Sequence, residues 1–280
     1  MKKLFTILSL AALAANLHAG NITVKGSDTL VILAQKWAEV YMGQKPDVKI
    51  QVSGGGSGIG FAALQSQTTD LCDASRPAKA AEIAKCEVVF GGKRPTEYKV
   101  ALDGLSVYVN PENSLTELTV AQVGDIFTGK IKNWKEVGGP DAPITVYSRE
   151  NSSGTYEFFK EHVLKGADFV ASAQTMPGTA AIVQAVLKDK SAIGYGGAAY
   201  GGGSKLLSIK RDDSSPAIAP TEDNVVSGTY PIWRYLYVYV NPALDKGEIA
   251  AYLNWIRSDD GQKYVKEIGY YPLPKNLRSN

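Results

Sequence analysis

The chain has 280 residues, 30 Lys and Arg against 28 Asp and Glu, and only two histidines and two cysteines. So even a charge balance argues against nucleic acid or a membrane surface as partner, since both call for a basic excess. Few histidines and cysteines argue against a dedicated zinc site, and the length suits one large domain or two of ordinary size.

The chain begins MKKLFTILSLAALAANLHAG, with Lys2 and Lys3 ahead of an apolar run from Leu4 to Ala15. This reads as a secretory signal peptide over residues 1–19, cut after Ala19. The run is too short to span a bilayer, and no cysteine stands at the cut to carry a lipid. Cleavage removes Lys2 and Lys3 and leaves 28 basic against 28 acidic residues. The mature chain is expected to be soluble and exported. In that compartment Cys72 and Cys86 point to a disulfide, worth about 3 kcal/mol in the chain-entropy account. Two buried thiols are the alternative.

Asn21 to Val24 predicts a short strand, and Lys25 to Thr29 a loop. Over residues 30–42, LVILAQKWAEVYM places Leu33, Trp37 and Tyr41 at helical spacing. Ser27, Asp28 and Thr29 are all candidate N-caps for that helix. Val48 to Val52 alternates as a second strand. The run SGGGSG follows, then a helix over residues 59–66. Asp73 to Pro77 is a loop, and residues 78–86 are helical. Strand, loop and helix recur in that order, which is an α/β signature.

Residues 104–111, GLSVYVNP, and 235–242, YLYVYVNP, resemble each other. Read as crossover strands, they divide the mature chain into a discontinuous first lobe, 20–107 with 237–280, and an inserted lobe, 108–236. The insert carries its own helices in VAQVGDIFTG and GTYEFFKEHVL and strands in ITVYS and AIGYGG.

No catalytic engine stands out. The one mature histidine, His162, lies in a helical pattern and reads as a surface residue, so a Ser-His-Asp arrangement has no support. The glycine run lacks the lysine of a P-loop, and Gly58, Gly60 and Ala63 give only the loose G-x-G-x-x-A pattern. Anion binding fits better. A helix N-terminus offers unpaired N–H groups and partial positive charge. Four predicted strand-to-helix turns carry small hydroxyl residues: Ser27-Asp28-Thr29, Ser57-Gly58, Ser75-Arg76 and Ser153-Gly154-Thr155. Arg76 and Arg149 add charge to two of them. Each turn alone is an ordinary cap. Converging at the carboxyl ends of strands, they would form a cage for a small oxyanion, with the glycines clearing the way for it.

At these residues the chain resembles the periplasmic phosphate-binding proteins of the high-affinity phosphate ABC transporter, the PstS family. The segments KGSDTLVILAQKWAEVY, SGGGSGIGFAALQSQTTDLCDASRP and SRENSSGTYEFF carry the resemblance. It implies a two-lobed α/β fold of the type II periplasmic-binding-protein class, each lobe a mixed sheet flanked by helices, with two hinge crossovers. It implies a monomeric periplasmic protein, without cofactor or metal, that captures inorganic phosphate for a membrane permease and is not an enzyme. Position by position it places Asp28 and Thr29 in the first contacting turn, Ser57 in the second, and Arg149, Ser153, Gly154 and Thr155 in the inserted lobe.

Three positions depart from the family pattern. Arg76 stands where members carry the aspartate that accepts the phosphate's proton, and arginine can only donate. Asp28 stands where they carry threonine, and is expected to supply the missing acceptor, with Arg76 a second cationic donor. Asn151 replaces an aspartate that pairs with the arginine, leaving Glu150 or another acid to take that part. Sulfate, molybdate or tungstate binding is the rival reading. A secreted phosphoester hydrolase is a further one.

Overall fold

In a computed structural model the described residues are 20–278; the signal sequence read over residues 1–19 lies outside them. The chain opens β1 (Asn21–Gly26), α1 (Val31–Gln44), β2 (Lys49–Ser53), α2 (Ser57–Gln65), β3 (Leu71–Ala74), α3 (Ala80–Val89). β1 lies between β2 and β3, parallel to both, as strand–helix–strand units require. Leu33, Trp37 and Tyr41 are all buried along α1, the stripe its spacing predicted.

A long strand, β4 (Thr96–Val109), leads into β5 (Glu117–Thr119), α4 (Val120–Phe127), β6 (Thr145–Arg149), α5 (Gly154–His162), β7 (Gln174–Met176), α6 (Thr179–Lys188) and β8 (Ala192–Gly197). Two short strands, β9 (Lys205–Leu206) and β10 (Ser208–Lys210), and α7 (Glu222–Val226) precede the return strand β11 (Trp233–Val240). Helices α8 (Gly247–Arg257) and α9 (Asp259–Ile268) finish the chain.

The strands follow the order β2-β1-β3-β11-β4-β8-β6-β7. β4 changes partner midway. Residues 96–104 pair antiparallel with β11, and 105–109 with β8. The apolar side chains divide accordingly. Ile22, Val24, Trp37, Tyr252 and Val265 belong to one core, under β1 and α1. Val107, Phe127, Phe159 and Tyr195 belong to another, under α4 and α5. After α9 the chain turns back, so that Tyr271 bridges to Leu102 and joins the second core.

The expected disulfide is absent. Cys72 on β3 and Cys86 on α3 are free thiols, both buried, in one apolar cluster with Phe61, Leu64 and Phe90. They pack as small hydrophobic side chains. Burial pushes both thiols up, Cys86 to about 11.

Candidate oxyanion site

Four turns meet at one place. Thr29 follows β1, Ser57 opens α2, Ser75 follows β3, and Thr155 lies in the first turn of α5. Thr29 Oγ1 and Thr155 Oγ1 are 2.8 Å apart. Ser57 Oγ and Ser75 Oγ are 3.4 Å apart, and Ser75 Oγ lies 3.4 Å from Thr155 Oγ1. All four side chains are buried. Four buried hydroxyls from four separate elements form a cluster rich in potential donors.

Local backbone explains why these side chains are available. None of Ser27, Asp28 and Thr29 caps α1; its N-cap position is Leu30, with no side-chain bond. The expectation of a cap there fails because the three residues are engaged elsewhere: Ser27 N–H bonds Asp73 O at 2.9 Å, the Thr29 hydroxyl meets Thr155, and the Asp28 carboxylate is taken by Gly55 and Arg149. Asp28 Oδ1 accepts from Gly55 N–H at 2.8 Å. Tyrosines from distant segments clamp this turn: Tyr200 donates to Asp28 O at 2.6 Å and Tyr270 to Thr29 O.

On the facing turn, Ser153 caps α5 by accepting from Tyr156 N–H at 3.2 Å. Gly154 packs against the hydroxyls so closely that a Cβ there would lie 2.3 Å from Ser57 Oγ. The glycine run answers to the same closeness. Gly56 has φ +97°, and a Cβ on it would lie 2.4 Å from Ser152 O. Gly58 N–H donates to Ser152 O at 2.9 Å. What closely approaches this backbone at Gly56 and Gly58 is the β6–α5 turn, through Ser152.

Arg149, at the end of β6, is buried, fully engaged, and tied to the first cluster turn through Asp28. Nη2 reaches Asp28 Oδ2 at 2.7 Å and Glu150 Oε1 at 3.0 Å; Nε reaches Glu150 Oε2 at 3.1 Å; Nη1 donates to Thr179 Oγ1 at 2.9 Å. Glu150 thus takes the part that Asn151 cannot. Burial pushes the Glu150 carboxyl up, but the Arg149 guanidinium outweighs it and holds the carboxyl below its ordinary value. Tyr195, whose hydroxyl lies 3.1 Å from Ser148 Oγ, steadies this end of β6.

Arg76 is not part of the cluster. Its guanidinium forks onto Glu82, Nη1 to Oε2 and Nη2 to Oε1, each at 2.7 Å, and its Nε meets Glu157 Oε2. The guanidinium also lies over the Phe61 ring. Glu82, six residues on in α3, offers a bidentate partner, and that draws the side chain away from the hydroxyls.

The cation that does reach the hydroxyls is Arg234 on β11, which the sequence reading missed. Its Nη2 donates to Thr155 Oγ1 at 3.0 Å and its Nη1 to Ser75 O at 3.0 Å. The available signal was a charged residue inside the apolar strand WRYLYVYV. A cleft of about 1120 Å³ borders Arg76 and Arg234, floored by Trp233, Tyr235 and Tyr237. The hydroxyl cluster does not line it. His162 is exposed on α5 and stacks on Phe158, as a surface residue would.

The family described as the PBP superfamily domain matches residues 12–260. A phosphate-binding protein PstS of Pseudomonas aeruginosa is 36% identical, over 92% of this chain and 85% of its own. The PstS of Bacillus subtilis is 32% identical, over 91% and 81%. Among solved structures, a phosphate-bound one from Clostridium perfringens superposes with TM-score 0.83 at 28% identity, covering 91% of this chain and all of that one. An ABC-type phosphate transport receptor from Vibrio cholerae gives 0.71 at 27%, over 90% and 100%.

Proposed function

The chain belongs to the PstS family of phosphate-binding proteins within the PBP superfamily, and from that premise we propose that it is an exported, periplasmic solute-binding protein that captures inorganic phosphate between two lobes. It delivers the anion to the permease of an ABC transporter. It acts as a monomer and does no chemistry of its own. The observation that carries the reading is the buried cluster of Thr29, Ser57, Ser75 and Thr155, with Arg149 tied to it through Asp28.

Phosphate oxygens would replace the contacts these hydroxyls make with one another, each O–H turning to an O⁻ and gaining a charge-assisted bond. Gly154 would present its backbone N–H at the start of α5, where the helix dipole favours an anion, while Ser153 N–H bonds Glu150 O at 3.0 Å and shapes the turn. Ser27 shapes its turn, and Gly58 joins the two lobes through Ser152. Arg149 supplies the charge. Arg76 is withdrawn from the donor role the sequence suggested.

Asp28 is the acceptor for a protonated phosphate. Its two oxygens accept from Gly55 and Arg149, and each keeps a second lone pair. Sulfate carries no proton at neutral pH, so it would leave that carboxylate unpaired against an anion. Lobe closure follows from the same contacts, since Asp28 and Arg149, and Thr29 and Thr155, lie on opposite lobes. The hinge runs through β4 and β11. The change of β4 partner at Gly104–Leu105 supports a boundary slightly ahead of residue 108.

Calorimetric titration of the mature chain, stripped of anion, with phosphate and then sulfate tests the reading. Saturable phosphate binding that survives excess sulfate is expected. Preference for sulfate, molybdate or tungstate, or turnover of a chromogenic phosphoester, would overturn it.

A further inference from the structure

Arg234 and Asp103 face each other across β11 and β4, the two strands that cross between the lobes. Both side chains are buried, 2% and 0% exposed. Arg234 Nε and Nη2 bond Asp103 Oδ2 at 3.0 and 2.8 Å. The same guanidinium lies over the Phe158 ring of α5. Its remaining bonds go to the oxyanion cluster from two sides, to Ser75 O after β3 and to Thr155 Oγ1 on α5. One side chain, rooted in the hinge, therefore touches a cluster turn of each lobe.

A guanidinium has donors only. Thr155 Oγ1 must accept from Arg234, and the Thr155 hydroxyl proton must then point elsewhere. The oxygens within its reach are Thr29 Oγ1 and Ser75 Oγ, on the side where an anion would sit. A hydroxyl left to rotate would spend part of its time presenting a lone pair to an anion, which repels it. Asp103 holds the fork in place and balances its charge, with burial raising the carboxyl and Arg234 opposing that.

We propose that Arg234, held by Asp103, is a positioning residue of the oxyanion site. It fixes Thr155 as a hydrogen-bond donor to the bound anion and makes that alignment depend on closure of the two lobes. The proposal rests on the phosphate reading above.

The test is a double-mutant comparison by phosphate calorimetry, with thermal melting as a check on folding. Arg234→Met with Asp103→Leu replaces the ion pair by an apolar pair of similar size, a change that folded cores tolerate. The expected result is a melting temperature at or above that of the unmodified chain, with phosphate affinity down about tenfold or more. Thr155→Val should weaken binding clearly in the unmodified chain and much less in the double variant, because both remove one donor. Arg234→Lys keeps the charge but not the fork, and should show the same loss of coupling to Thr155; it serves if the double variant does not fold. Unchanged affinity in the folded double variant, or fully additive effects with Thr155→Val, would overturn the proposal. Failure of the unmodified chain to bind phosphate would instead overturn the parent reading, and this proposal with it.

Discussion

Arg149 and Arg76 begin alike and end differently. Each stands at the carboxyl end of a strand, ahead of a helix, with its guanidinium buried and two carboxylates beside it. Arg149 meets Glu150 from its own turn and Asp28 and Thr179 from elsewhere, so its fork stays tied to the turn that carries Thr29. Arg76 meets Glu82 edge to edge and Glu157 on its remaining side, and its fork leaves the hydroxyls. The position of an arginine in a turn thus says little about where its charge goes. The acids that reach it first decide.

Replacing each arginine breaks the comparison most strongly. Arg149→Met should cost more than about 100-fold in phosphate affinity, since it removes the permanent cation bound to Asp28 in the first cluster turn. Calorimetry reads this directly. Arg76→Met should lose less than about tenfold in affinity, through the lost contact with Glu157. Its larger effect should be on stability, lowered by about 2 to 3 kcal/mol in urea unfolding, because Glu82 loses its bidentate partner while partly buried and Glu157 keeps only Lys79. Equal affinity losses in the two variants would mean that Arg76 also serves the anion.

The four turns were legible in the sequence because each is local: strand, small hydroxyl residue, helix. The first half of β4 was less so. Residues 96–103, TEYKVALD, alternate correctly but carry Glu97, Lys99 and Asp103. Arg234 was not legible, since its meaning comes from cross-strand register with Asp103, far away in sequence. The fate of Arg76 depends on Glu82 together with Glu157, the latter on α5 far along the chain, and the state of Cys72 and Cys86 on how β3 and α3 pack. Short-range pattern gives the donors; long-range packing decides which charges join them.

Asp28→Asn sharpens the contrast from the acid side. Asp28 is bonded to Arg149, and Arg76 has no counterpart facing the cluster. An asparagine keeps the shape but presents one oxygen and an NH₂ group that repels a phosphate proton. Phosphate preference over sulfate should fall about tenfold, the value of one buried mismatch. Competition titration measures it, and an unchanged preference would remove Asp28 as the acceptor.

The smallest effect concerns Glu150. Arg149 holds its carboxyl below the ordinary value despite partial burial. The stability Glu150 lends is therefore complete above the pH at which a free glutamate ionises. It drains away as pH falls through the lower folded value. Because the side chain is 28% exposed and water screens the pair, the contribution is under about 1 kcal/mol. Glu150→Gln should unfold in slightly less urea than the unmodified chain at neutral pH, and the two curves should converge in acid. A gap that stays constant across that range would show that Glu150 acts through its shape or its hydrogen bonds and not through its charge on Arg149.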